Sequence, residues 1–126
     1  MSSEILTILV VDDVDENRQI LQRRLAKLGY NVELANDGRE GLNALRNTLV
    51  DLVLLDINMP IMDGVAALAA IRADANLASI PVIMLTAIDD ADMAVGCLKK
   101  GACGYLTKPF NMDQLQQQIS HCLNKK

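Results

Sequence analysis

The chain has 126 residues, 51% of them hydrophobic, with a formal net charge of −4 and almost no aromatic side chains: no Trp, two Tyr and one Phe. That length predicts one domain with an aliphatic core, and the acidic balance argues against nucleic acid as a direct ligand, because phosphate contacts need clustered Lys and Arg. The single His (His121), placed on the surface of the last helix, excludes a His-based metal site or a Ser-His-Asp device. Cys97, Cys103 and Cys122 lack CxxC spacing, so they are expected as reduced thiols packing as small hydrophobes. Met1-Ser2-Ser3-Glu4 lacks the basic start of a signal peptide, and no apolar run reaches transmembrane length. A cytoplasmic protein that does not engage a membrane is expected.

Ile5 to Val11 is apolar at nearly every position, the pattern of a strand buried on both faces, and runs into Asp12-Asp13. A helix follows from Val14 or Asp15 to Leu28, with Leu21, Leu25 and Leu28 on one face, acids in its first turn and Gly29 as its stop. Asn31 to Ala35 alternates, as expected nearer a sheet edge. Asp37-Gly38-Arg39-Glu40 resembles a capping box and opens a helix with Leu42, Leu45 and Leu49 inward. Leu52 to Leu55 is a second run apolar throughout, ending in Asp56. Asp63-Gly64 opens an Ala-rich helix to about Ala73, with Asp63 as its cap. Ile80 to Leu85 is the next buried strand, ending in Thr86. A fourth helix carries Ala91, Ala94, Val95 and Leu98 on one face, is weakened by Gly96 and stops at Gly101. Cys103 to Leu106 is a short fifth strand leading into Thr107-Lys108-Pro109. Asn111 caps a last helix with Met112, Leu115, Ile119 and Cys122 inward. Five strand–helix alternations with short connections predict a doubly wound parallel sheet with helices on both faces.

Each strand of this α/β fold ends at the same edge, where such sheets build their sites. That edge would collect Asp12, Asp13, Asp56, Thr86 and Lys108. Three carboxylates a few Å apart repel unless a cation sits among them or one takes a proton. Hard oxygen ligands with open positions suit Mg²⁺. A metal-bound Asp is a nucleophile suited to phosphorus, and the transferred phosphoryl group needs its oxygens neutralised by a cation, an ammonium and hydroxyl or backbone donors.

With these residues in place, the chain resembles the response regulator receiver domains of two-component signalling, chemotaxis regulators among them, over about Ile5 to Leu123. The matching motifs are Val10-Val11-Asp12-Asp13, Asp56-Ile57-Asn58-Met59-Pro60-Ile61-Met62-Asp63-Gly64, Thr86-Ala87, and Gly101-Ala102-Cys103-Gly104-Tyr105-Leu106-Thr107-Lys108-Pro109-Phe110. The resemblance implies a single receiver domain over residues 1–126, core about 5–123, with a flavodoxin-like (βα)5 sheet in strand order 2-1-3-4-5. It implies that Asp56 accepts a phosphoryl group from a histidine kinase or His phosphotransfer protein. Asp13, Asp56 and the Asn58 backbone carbonyl would bind Mg²⁺ (or Mn²⁺), with Asp12 acting largely through water. Thr86 and Lys108 would grip the phosphoryl oxygens, the Lys108-Pro109 bond would be cis, and Tyr105 would be the switch aromatic. The face of the fourth helix, fifth strand and fifth helix would then engage an output protein or domain, the chain being a monomer or a phosphorylation-dependent dimer. Ile88, two residues past Thr86, would shield the acyl phosphate and lengthen its life. Such a domain is a signalling switch rather than an enzyme, catalysing only its own phosphorylation and dephosphorylation.

Three other protein classes share parts of this pattern. A haloacid-dehalogenase-like phosphohydrolase places a second Asp where Asn58 stands. A flavodoxin needs a Ser/Thr/Gly-rich loop after strand one and flanking aromatics, where this chain has Asp12-Asp13. A phosphate-independent interaction module of the same shape would have little use for the complete set of acids, Thr86 and Lys108.

Overall fold

The computed structural model describes residues 5–57, 59, 62–87 and 91–124. Its elements alternate: β1 (Thr7–Val11), α1 (Asp15–Lys27), β2 (Asn31–Ala35), α2 (Gly38–Asn47), β3 (Leu52–Asp56), α3 (Gly64–Ala73), β4 (Val82–Ala87), α4 (Ala91–Lys99), β5 (Gly104–Lys108) and α5 (Met112–Leu123). The strands form one parallel sheet in the order β2-β1-β3-β4-β5. This is the flavodoxin-like doubly wound arrangement expected from the chain.

The period of two along each strand sorts its side chains between two cores. Leu9, Val11, Val53, Leu55, Val82 and Met84 pack with residues of α2, α3 and α4 on one face. Ile8, Val10, Leu52, Leu54, Ile83 and Leu85 pack with Leu21 and Leu25 of α1 and Leu115, Ile119 and Cys122 of α5 on the other. Both faces being covered, the central strands are apolar at their buried positions up to the polar residues Asp56 and Thr86 near their C-terminal ends, whereas edge strand β2 alternates.

Helix ends follow local chemistry. Asp37 accepts from the Glu40 N–H at 2.8 Å and Asp63 from the Ala66 N–H at 2.8 Å. Asn111 and Gln114 form a reciprocal capping box. Gly29 (φ 95°) and Gly101 (φ 109°) take the left-handed conformation that stops α1 and α4. Arg72, at the end of α3, donates to the carbonyls of Gly101, Ala78 and Ile80 at 3.0, 3.0 and 2.9 Å. Burial there pushes its pKa below the usual guanidinium value. No helix among the described residues is long and apolar enough to cross a membrane.

Several expectations are corrected. Leu49 is 94% exposed rather than inward: α2 ends at Asn47, Thr48 is extended (φ −140°, ψ 141°), and Val50 turns into the core instead. Leu28 lies beyond the last turn of α1 and is exposed. Among the described side chains of α4, Ala94 and Cys97 are inward while Val95 and Leu98 face outward; Ala91, also expected inward, is not among them. β4 starts at Val82, since the Ile80 N–H is bonded to Leu77 O in the preceding turn and Pro81 has no N–H. The sulfurs do not all stand as separate thiols: Cys103 and Cys122 are joined as a disulfide, and Cys97 alone is a free cysteine, buried in α4. The reason is tertiary, because the parallel register brings the start of β5 under the last turn of α5.

Candidate functional site

β1 and β3 are neighbours at the centre of the sheet, where the winding direction reverses and the C-terminal strand edge opens into a crevice. Val11 is level with Leu55, so Asp12, the next residue of the first segment, stands beside Asp56, the last residue of β3. Asp12 is held twice by backbone: its N–H donates to Ala35 O at 3.1 Å, and its Oδ1 accepts from the Val14 N–H at 2.9 Å. Asp56 pairs in register with Leu85, and the Ile57 N–H continues the ladder to Leu85 O at 3.0 Å. Thr86 therefore follows immediately on the neighbouring strand, and Lys108 is level with Ala87 on the next.

The chain after β3 is folded tightly back onto this edge. The Gly64 N–H donates to Ile57 O at 2.7 Å. A Cβ on Gly64 would lie 2.6 Å from Ile57 Cα and would also collide with the Asp56 carbonyl oxygen. Only glycine permits so close an approach.

Asp12, Asp13 and Asp56 each turn a carboxylate oxygen into one space, all within 4.8 Å of one another. Asp12 is fully buried (0%) and Asp56 nearly so (6%), while Asp13 is exposed. The Lys108 Nζ crosses from β5 to meet them, 3.2 Å from Asp12 Oδ2 and 3.5 Å from Asp56 Oδ2. One ammonium against three acids leaves the cluster rich in negative charge, and its donors are all hard oxygens, a set that fits a divalent cation such as Mg²⁺. Thr86 is fully buried, with its Oγ1 donating to Ala87 O at 3.3 Å. The Lys108-Pro109 bond is cis.

Of the residues expected at the site, the structure thus brings Asp12, Asp13, Asp56 and Lys108 into one cluster and puts Thr86 at the same strand edge. Tyr105 is half-buried on β5 and packs against the core beneath α4. Asn58 and Ile88 lie outside the described residues. Two features were not anticipated. Arg18, one turn into α1, donates to the Asp12 backbone oxygen at 2.6 Å and pairs with Asp15 at 2.8 Å. Their i, i+3 spacing was the one local signal. Beside the cluster lies a cavity of about 460 Å³ between α1 and the β5–α5 loop, lined by Asn17, Ile20, Leu21, Arg24, Lys108 and Phe110 among others. No sequence signal marks it, because its walls come from opposite ends of the chain.

Comparison with known proteins points one way. Residues 8–120 match the family described as "Response regulator receiver domain". The transcriptional regulatory protein ZraR of Escherichia coli (strain K12) is 46% identical over 123 residues, covering 98% of this chain but 27% of that protein. The chain thus spans about a quarter of such a relative's length. Among solved structures, the chemotaxis protein CheY4 of Vibrio cholerae superposes with a TM-score of 0.88 at 33% identity, over 94% of this chain and 99% of that one. NtrX of Brucella abortus gives a TM-score of 0.89 at 29% identity, over 97% of this chain and 27% of that one.

Proposed function

The chain belongs to the response regulator receiver domain family of two-component systems, and from that premise we propose that Asp56 is its phosphoacceptor. One observation carries the reading: three carboxylates within 4.8 Å of one another, with an ammonium 3.5 Å from Asp56, at the C-terminal edge of a parallel sheet. A receiver-shaped interaction module would have no need to bury Asp12 and Asp56 together.

Asp12, Asp13 and Asp56 would hold Mg²⁺. The ion would supply positive charge to offset the acids and the incoming phosphoryl group. Asp56 attacks the phosphorus of a phosphohistidine; the P–N bond breaks and an aspartyl phosphate forms. Lys108, held between β5 and the acids, turns its ammonium from Asp12 and Asp56 to a phosphoryl oxygen, where charge must be met. The Thr86 hydroxyl, exchanging its bond to Ala87 O, meets another. The modification adds about one negative charge relative to the free carboxylate. That change biases a two-state equilibrium in which Thr86, α4 and Tyr105 rearrange and the face of α4, β5 and α5 alters its affinity for an output protein or domain.

The phosphodonor is a histidine kinase or His phosphotransfer protein. Its helices would pack over α1 and the β5–α5 loop, where the cavity beside Lys108 offers Ile20, Leu21 and Phe110 as apolar contacts. The protein works in the cytoplasm, as a signalling switch rather than a turnover enzyme.

The test is phosphate uptake from acetyl phosphate with Mg²⁺. Wild type is expected to incorporate one phosphate, and Asp56→Asn none, with an unchanged circular dichroism spectrum. Uptake by Asp56→Asn at normal yield would identify a different acceptor.

A further inference from the structure

The Cys103–Cys122 pair stands apart from the acidic cluster. Cys103 precedes β5, and its N–H donates to the carbonyl of Val82, the first residue of β4, at 2.8 Å. The pair therefore lies at the N-terminal edge of the sheet, the edge opposite Asp56. The Cα atoms are 5.9 Å apart, within the span that a disulfide bridges without backbone movement. The bond ties the start of β5 to the last turn of α5.

Its two ends differ in access. Cys122 is fully buried, whereas Cys103 is part-exposed. Cys97, the third sulfur, is buried on the other face of the sheet, out of reach of the pair. Gly104 lacks the side chain that would fill the space between β5 and α5; a Cβ there would lie 3.7 Å from Cys122 Sγ and against Gln118 Oε1. Gln118 stands one turn before Cys122, and its buried Oε1 has no hydrogen-bond partner among the described residues. The disulfide has no donor to offer that oxygen, but a reduced cysteine brings an S–H donor to the same space.

We propose that Cys103 and Cys122 form a reversible thiol–disulfide exchange site, with small aliphatic disulfides and thiols as its reaction partners. In oxidation the Cys103 thiolate attacks one sulfur of a disulfide R–S–S–R, giving a Cys103–S–S–R mixed disulfide and releasing RS⁻. The Cys122 thiolate then attacks the Cys103 sulfur, closing the internal bond and releasing the second RS⁻. Two thiol protons and two electrons leave the protein, and one R–S–S–R becomes two RSH. Reduction is the reverse, entered at the part-exposed Cys103. The site reports the redox state of its surroundings at the β5–α5 layer, at the sheet edge opposite Asp56.

The folded chain is equilibrated in graded mixtures of glutathione and glutathione disulfide, then unfolded, alkylated and weighed. Wild type is expected to pass in one step from three alkylated thiols to one, with peptide masses placing the survivor at Cys97. Cys103→Ser, and Cys103→Ala as a second variant with its fold checked by circular dichroism, are expected to keep both remaining thiols in every mixture. Three thiols in wild type at all mixtures, glutathione attached at Cys97, or a mixed disulfide at Cys103 that never closes onto Cys122 would each overturn the proposal.

Discussion

At the scale of single residues, the site depends on where a few charges and one missing side chain stand. Asp12 is buried and bonded to its own backbone turn, so it cannot relax away from Asp56. The two acids are held together against their repulsion, with Lys108 as a partial counter-charge. A cation that binds only the folded form stabilises it by mass action, by about 2.7 kcal/mol at a hundred times its dissociation constant. Mg²⁺ is therefore expected to raise the thermal midpoint of wild type, and Asp13→Asn to abolish most of that rise; an equal rise in the variant would remove Asp13 from the ligand set. Gly64 makes a separate prediction. Gly64→Ala forces a Cβ onto the Ile57 backbone and should cost about 1–3 kcal/mol, the usual range for overpacking, measured by urea unfolding. Phosphate uptake at Asp56 should fall with it, because the displaced backbone carries that side chain.

At the scale of elements, α4 and α1 are the informative helices. α4 lays Ala94 and Cys97 on the sheet and leaves Met93, Val95 and Leu98 outward, so little large apolar area holds it down. Gly96 lies in that helix, and a Cβ added there meets nothing within 4 Å. Gly96→Ala should raise unfolding stability by about 0.5–1 kcal/mol, the ordinary difference in helix propensity. If α4 takes part in switching, the same change should also alter the affinity of the phosphorylated form for its output partner. α1 presents the apolar wall of the cavity next to Lys108. Ile20→Glu is expected to slow phosphotransfer from a histidine kinase at least tenfold, about 1.4 kcal/mol in the transition state. It should leave uptake from acetyl phosphate unchanged, since the small donor needs no docking surface. Equal slowing with both donors would place the defect in the acidic cluster instead.

At the scale of the whole molecule, the sheet divides two chemistries between its edges. The C-terminal edge gathers the acids, Thr86 and Lys108, and the N-terminal edge carries the sulfur pair. The disulfide closes a loop of 19 residues in sequence, for which chain entropy predicts about 3 kcal/mol of stability relative to the open form. Reduction is expected to lower the urea midpoint of wild type, while Cys103→Ser should show the same midpoint with or without reductant. A midpoint in wild type insensitive to reductant would mean that the bond does not constrain the unfolded chain.

Much of this was open to reading from local patterns. Runs such as Leu52 to Leu55, apolar at every position, announce strands buried on both faces, and Asp37, Asp63 and Asn111 announce helix starts, because period and capping act over a few residues. The polar residues at the strand ends followed from the strands themselves. Contacts between distant segments could not be read in this way. Lys108 reaches Asp12 across 96 positions, Cys103 meets Cys122, Gly64 presses on Ile57, and Leu49 swings out because α2 stops at Asn47. Each depends on the register of parallel strands joined through helices, and on how closely a helix lies on the sheet. Those are set by the simultaneous packing of both faces, a sum over the whole chain that no window of sequence contains.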